Sequence, residues 1–224
     1  LLIPGEGRFG SIDSLLVVLA TAVVADNIPR RGELAMKFVA CFVLAVLLPW
    51  SAVANAADMK SGPQPGDKLD AFNVTKLAGA GNDNVQVNDK LCYRCLYGDR
   101  PVVMVFTRQL DRELADLITA LDKEVGENGD KKLASFINLM GPNTEMLSAG
   151  ADAIVSNLNV KNIPIVMPED NDNGPKGYKL NPKAATTVLI YRDGTVKANY
   201  ALAPGKLDKN VIEKILKDTK AMLE

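Results

Sequence analysis

Cys92 and Cys95 stand at C-x-x-C spacing in Leu91-Cys92-Tyr93-Arg94-Cys95-Leu96-Tyr97-Gly98-Asp99-Arg100, and of the 224 residues of this chain they are the best suited to chemistry. Two thiols at that spacing can close a disulfide, exchange it with another thiol, or ligate a metal together. In exchange the thiolate is the nucleophile, and the upstream cysteine of such a pair is the expected attacker. Cys92 is therefore assigned attack and Cys95 resolution. Arg94 and Arg100 are the cations near enough in sequence to favour a thiolate. The alternative is structural: a local disulfide that pins the loop and contributes about 2 kcal/mol for so short a ring.

What the chain lacks narrows the chemistry further. It contains no histidine, which removes the commonest general base and every Ser/His or Cys/His nucleophile arrangement. The third cysteine, Cys41, lies in an apolar leader, so two thiols without histidine make an intrachain four-ligand zinc site improbable unless carboxylates complete it. Leu96 stands where a haem-attaching C-x-x-C requires histidine. With 26 basic and 27 acidic residues the net charge is −1, which gives no electrostatic case for nucleic acid. Asp111, Glu113 and Asp116 read as the solvated first turn of a helix, favoured by its dipole, rather than as an acid/base pair. Glu169-Asp170-Asn171-Asp172-Asn173-Gly174 has the look of a calcium loop, but Leu180 or Asn181 falls where its closing glutamate belongs. Tyr93 and Tyr97 are expected to pack under the cysteine loop.

The amino-terminal part reads as export apparatus. Met36-Lys37, the apolar run Phe38 to Leu48, the break at Pro49 and the small-x-small end Ala54-Asn55-Ala56 are the parts of a secretory signal, with cleavage after Ala56. Residues 1–35 open on Leu1 and carry a second short apolar run, Ser14 to Ala25. They read as a start site placed too far upstream of Met36, or else as an extra membrane segment. Residues 1–56 are expected to take no part in the fold. They hold four basic and four acidic side chains, so their removal leaves the charge at −1. Export would place the cysteine pair where disulfides persist.

Residues 57–68 read as a linker punctuated by proline and glycine, and residues 69–224 as one α/β domain. Leu69 to Leu77 is extended, with Phe72, Val74 and Leu77 inward, and Val85 to Val87 alternates like a small edge strand. Val102 to Phe106 is the continuous apolar run of a strand covered on both faces. Leu110, Leu114, Leu117, Ile118, Leu121 and Val125 define an amphipathic helix over Arg108 to Val125, stopped by Gly126 and Gly129. Strands follow at Leu133 to Leu139 and Ile163 to Met167, with a weaker helix, Thr144 to Leu158, between them. Ala185 to Tyr191 and Thr195 to Leu202 form a hairpin about Asp193-Gly194. A helix over Leu207 to Leu223 closes the chain.

That order, and three phrases within it, resemble the redoxin and peroxiredoxin branch of the thioredoxin-like fold. Gln64-Pro65-Gly66-Asp67-Lys68-Leu69-Asp70-Ala71-Phe72 is similar to the lead-in of that branch. Gly98-Asp99-Arg100-Pro101-Val102-Val103-Met104-Val105-Phe106 is similar to its first central strand, and Thr186 to Gly194 to its hairpin. The resemblance implies a central mixed sheet flanked by helices, over residues 62–224. It also implies a nucleophilic cysteine just after the first central strand, where this chain has Thr107-Arg108-Gln109-Leu110-Asp111, with Leu110 in the peroxidatic place. The cis-proline of the family is replaced by Ala185. Both halves of the usual site are missing, so an ordinary peroxidase is not expected.

The displaced pair should lie at the end of the sheet away from that usual site. No helix start is evident after Cys95, so the helix-dipole route to a low thiol pKa should be absent. The leading expectation is an exported, periplasmic or extracellular, thioredoxin-like protein with a thiol–disulfide oxidoreductase role for Cys92 and Cys95. It uses no cofactor and no metal, and its partner is a protein thiol or disulfide. It touches a membrane only through an uncleaved leader. A binding or scaffolding module with a structural disulfide is the alternative, and a metal-handling protein using both thiolates is a third reading.

Overall fold

The structure, a computed structural model, describes residues 59–224. The expected signal peptide, the segment 1–35 and Cys41 lie outside the described residues. A seven-stranded mixed sheet has the order β2-β1-β5-β4-β3-β6-β7. Its strands are β1 (Val74–Gly79), β2 (Lys90–Leu91), β3 (Val102–Thr107), β4 (Ala134–Leu139), β5 (Pro164–Pro168), β6 (Thr186–Arg192) and β7 (Thr195–Leu202). β3 is parallel to β4 and β4 to β5, while β6 and β7 add antiparallel on one side and β1 and β2 on the other. The parallel strands β3 and β4 are buried along their whole length, as their unbroken apolar character requires of a sheet covered on both faces.

One face carries all three long helices, α2 (Arg112–Glu127), α3 (Thr144–Leu158) and α4 (Lys209–Leu223). Leu114, Leu117, Ile118 and Leu121 of α2 pack with Val103, Val105 and Ile137 of the strands and with Ile212 and Ile215 of α4. Burying each such aliphatic side chain contributes about 1.5–3 kcal/mol. The opposite face is aromatic. Val102, Met104 and Phe106, the alternate residues of β3, pack there with Phe136, Tyr178 and Tyr191, under a one-turn helix α1 (Tyr93–Tyr97).

α2 starts at Arg112, four residues later than its periodicity suggests. Arg108 still donates its N–H to the Ala185 carbonyl at 2.8 Å, which prolongs the β3–β6 pairing, and Asp111 then caps the helix by accepting from the Leu114 N–H at 2.9 Å. Gly126 does not stop it; Asn128 does, through its backbone N–H and Nδ2, both donated to the Glu124 carbonyl. α3 runs through Gly150, where a Cβ would meet Leu110. The turn at Asp193-Gly194 has φ of 54° and 66°, both left-handed, as a two-residue hairpin of this kind demands.

Three expectations need correction. Val85 to Val87 is not a strand; the edge strand is Lys90–Leu91, and β1 begins at Val74 rather than Leu69. Leu69 instead donates its N–H to Gly194 at 2.8 Å, at the far side of the sheet. The described part of the expected linker is tied to the domain as well. Ser61 is buried with its hydroxyl 2.7 Å from that of Thr187, and Asn199 Nδ2 donates to the Ser61 and Pro63 carbonyls. Its glycines and prolines mark turns over the β6–β7 hairpin, not freedom.

Candidate functional site

Cys92 follows β2 directly and is the N-cap of α1. It is joined to Cys95 by a disulfide with a Cα–Cα distance of 5.2 Å. Cys95 is exposed, Cys92 half-buried, and Leu96 beside them is 52% exposed. Gly98, at φ 56°, ends the turn and donates its N–H to the Cys95 carbonyl, and Pro101 leads into β3. The pair therefore lies where β3 begins. Thr107 to Asp111 follow where β3 ends, about 17 Å away along the strand. Leu110 there is 52% exposed above a shallow, mainly apolar groove of about 210 Å³ between α2 and α3.

No helix starts after Cys95, as expected, and the chain passes from there into β3. A one-turn helix that sequence reading missed starts instead at Tyr93, directly after Cys92, and the Cys95 N–H donates to Cys92 Sγ at 3.1 Å. A one-turn helix has too few residues to show a hydrophobic period, so only the four-residue spacing of Tyr93 and Tyr97 announces it.

Arg94 extends to the β6–β7 turn, where its guanidinium occupies the space a Cβ on Gly194 would take. Its Nε is buried without a partner among the described residues. Arg100 donates from Nε to the Lys132 carbonyl at 2.8 Å and from Nη2 to Leu133 at 3.3 Å, with its guanidinium 5.0 Å from the centre of the Tyr97 ring. Neither arginine has an ion-pair partner among the described residues.

Tyr93 and Tyr97 are buried under the cysteine turn, as expected, 5.5 Å apart and 5.7 and 6.0 Å from Phe136. Burial pushes both phenols above their usual pKa, reinforced at Tyr93 by its hydrogen bond to Asp83. That bond, Tyr93 Oη to Asp83 Oδ2 at 2.6 Å, leads to a group the sequence did not single out. Lys76 of β1 is 2% exposed, and its Nζ donates to Asp83 Oδ1, the Ala80 carbonyl and the Val85 carbonyl at 2.7, 2.7 and 2.8 Å. The available signal was parity: Lys76 follows Val74 by two residues and so shares its inward face.

The acidic loop uses its carboxylate internally, Asp170 Oδ1 accepting from the Asn173 backbone and side chain, which holds its pKa low. Among the described residues no three Cys, Asp or Glu side chains gather closely enough to hold a metal ion. No described helix is long and apolar enough to cross a membrane.

No protein-family model matches the chain, and no curated protein matches it. Solved structures do. An uncharacterized conserved protein from Geobacillus kaustophilus superposes with a TM-score of 0.52 at 12% identity, over 71% of this chain and 82% of that one. Peroxidoxin BcpB from Mycobacterium tuberculosis gives 0.51 at 14%, over 71% and 97%. Mycobacterium bovis AhpC gives 0.50 at 15%, over 73% and 94%. Identities this low speak to the fold alone. The described domain is thus a thioredoxin-like α/β fold, with a closed C-x-x-C disulfide set before its first central strand.

Proposed function

We propose that this protein is an exported thiol–disulfide oxidoreductase whose working groups are Cys92 and Cys95. The observation that carries the reading is a closed pair at the surface, with Cys95 exposed and the Cys95 N–H directed at Cys92 Sγ. A backbone donor on a sulfur favours its thiolate. Arg94 and Arg100 flank the pair in sequence, but their guanidinium groups turn to Gly194 and to the Lys132 and Leu133 carbonyls, so it is the backbone donor that favours the thiolate. In this scheme the Cys92 thiolate attacks one sulfur of a partner protein's disulfide. A Cys92–partner bond forms, the partner's disulfide breaks, and the departing sulfur takes up a proton. The Cys95 thiolate then attacks Cys92 Sγ, which closes the Cys92–Cys95 bond and releases the second partner sulfur as a thiol. The partner gains two electrons and the pair loses two; the reverse sequence oxidises a partner dithiol. The leader Met36 to Ala56 would deliver the protein to an oxidising compartment.

Trapping tests the reading. In the full chain carrying Cys41→Ser, Cys95→Ser should accumulate a mixed disulfide with a disulfide-bonded probe protein such as insulin, whereas Cys92→Ser should not. Trapping by Cys92→Ser alone would reverse the order of attack. Trapping by neither would remove the oxidoreductase. A second reading has its own support: Tyr93 and Tyr97 anchor the cysteine turn in the aromatic core, as befits a structural disulfide in a binding module.

A further inference from the structure

Lys76 organises everything between β1 and the cysteines. Its backbone N–H donates to the Asp89 carbonyl at 3.0 Å and its own carbonyl accepts from the Asn88 N–H at 2.8 Å, so one residue clasps the far end of the excursion. Its ammonium spends its three protons inside that excursion, on Ala80, Asp83 and Val85. Asp83 lies in a loop whose residues Ala80 and Asn84 both have positive φ, and without Lys76 its one contact to that loop is the Val85 N–H at 3.0 Å. Held by Lys76, it presents Oδ2 to the Tyr93 hydroxyl, and Tyr93 lies between the two cysteines in sequence. The Tyr93–Asp83 bond is the one hydrogen bond that a side chain belonging to residues 93–97 makes among the described residues.

We propose that Lys76, Asp83 and Tyr93 form a positioning relay that fixes α1 to the sheet, so that the two thiols stay at closing distance once the disulfide is reduced. A helix of five residues does not hold itself in water. With the covalent bond open, the cysteines keep their 5.2 Å Cα spacing only as long as something else holds the turn. The relay runs from a strand paired on both edges, through a buried ion pair, to the first residue of that turn. Its effect is to raise the effective concentration of one thiol at the other, and so to favour disulfide closure. These are positioning residues, since none of them touches the exchanging sulfurs of a partner. The inference rests on the proposed redox role for its biological meaning but not for its measurement.

The test is the equilibrium of the Cys92–Cys95 pair against a dithiothreitol buffer, read by alkylation and mass in the full chain carrying Cys41→Ser. Tyr93→Phe deletes one oxygen and keeps the ring on Tyr97 and Phe136. It should shift the equilibrium toward the dithiol by about three- to tenfold, part of the strength of a hydrogen bond to a charged acceptor. Asp83→Asn should shift it the same way, and the double variant no further than the stronger single one. Tyr97→Phe, whose hydroxyl is outside the relay, should stay within about twofold of the parent. A merely structural bond would destabilise both redox states alike and leave this ratio unmoved. A Tyr93→Phe value within twofold of the parent, or equal to that of Tyr97→Phe, would overturn the proposal. Should Asp83→Asn fail to fold, Tyr93→Phe alone decides. The trapping experiment is independent: if it fails while Tyr93→Phe shifts the ratio, the relay stands and the oxidoreductase falls, and the opposite pair of results separates them the other way.

Discussion

Replacing Lys76 by methionine keeps most of the side-chain volume and removes the ammonium. Two carbonyls, of Ala80 and Val85, then lose their donor, and the Asp83 carboxylate, whose side chain is 10% exposed, loses its counterion. Breaking a buried pair from one side costs about 3–5 kcal/mol. Asp83 keeps the Val85 N–H at 3.0 Å and the Tyr93 hydroxyl at 2.6 Å, so the lower end, about 3 kcal/mol, is the expected loss. Against a whole-domain stability of about 5–15 kcal/mol that is a large fraction, and it corresponds to a fall in Tm of about 6–12 °C. Urea denaturation of the full chain, with the disulfide intact, measures it. Adding Asp83→Asn to Lys76→Met should cost little more, because the carboxylate it neutralises has already lost its partner. A loss below about 1 kcal/mol, or two substitutions that simply add, would refute the idea that this lysine holds the excursion together.

Three further outcomes follow from particular contacts. Tyr93, Tyr97, Tyr178 and Tyr191 all have phenols raised above 10.0 chiefly by burial, so the unfolded chain loses their protons first as pH rises. Stability is unaffected below about pH 10 and should fall by about 1.4 kcal/mol per pH unit for each of them above it, with tyrosinate absorbance appearing only as the domain unfolds; tyrosinate in the folded protein at pH 10 would contradict this. Asp111→Ala removes the N-cap of α2 and should cost about 1 kcal/mol in thermal or urea unfolding. Gly194→Ala places a Cβ at φ 66° in the Arg94 guanidinium and should cost about 1–3 kcal/mol, while the alanine variant of Arg94 should relieve part of that cost.

The sheet and its long helices were legible because their signals are local and periodic. β7 spans Thr195–Leu202 as its pattern and the Asp-Gly turn before it imply, and the three leucines and one isoleucine that α2 buries are among the six positions its spacing selects, Leu110 alone falling before the helix and exposed. What escaped was short or paired at a distance. β2 has two residues and α1 five, below the length at which a period exists. The alternation of Val85 and Val87 fits a strand, but the Val85 carbonyl is claimed by Lys76 and Val87 is 54% exposed. Lys76 escaped despite its parity with Val74 because a lysine reads as solvent-facing unless its partners are known, and one of them, Asp83, lies in a loop seven residues on. The placement of Cys92 and Cys95 before the central strand, and the absence of cysteine after it, were plain from order alone.

The reduction potential of the Cys92–Cys95 pair, recorded with the thermal stability of both redox states, tests the redox assignment most directly. The expected value lies between about −120 and −270 mV, with little change in stability on reduction. A potential below about −300 mV, accompanied by clear destabilisation of the reduced domain, would contradict it and make the pair a structural clasp.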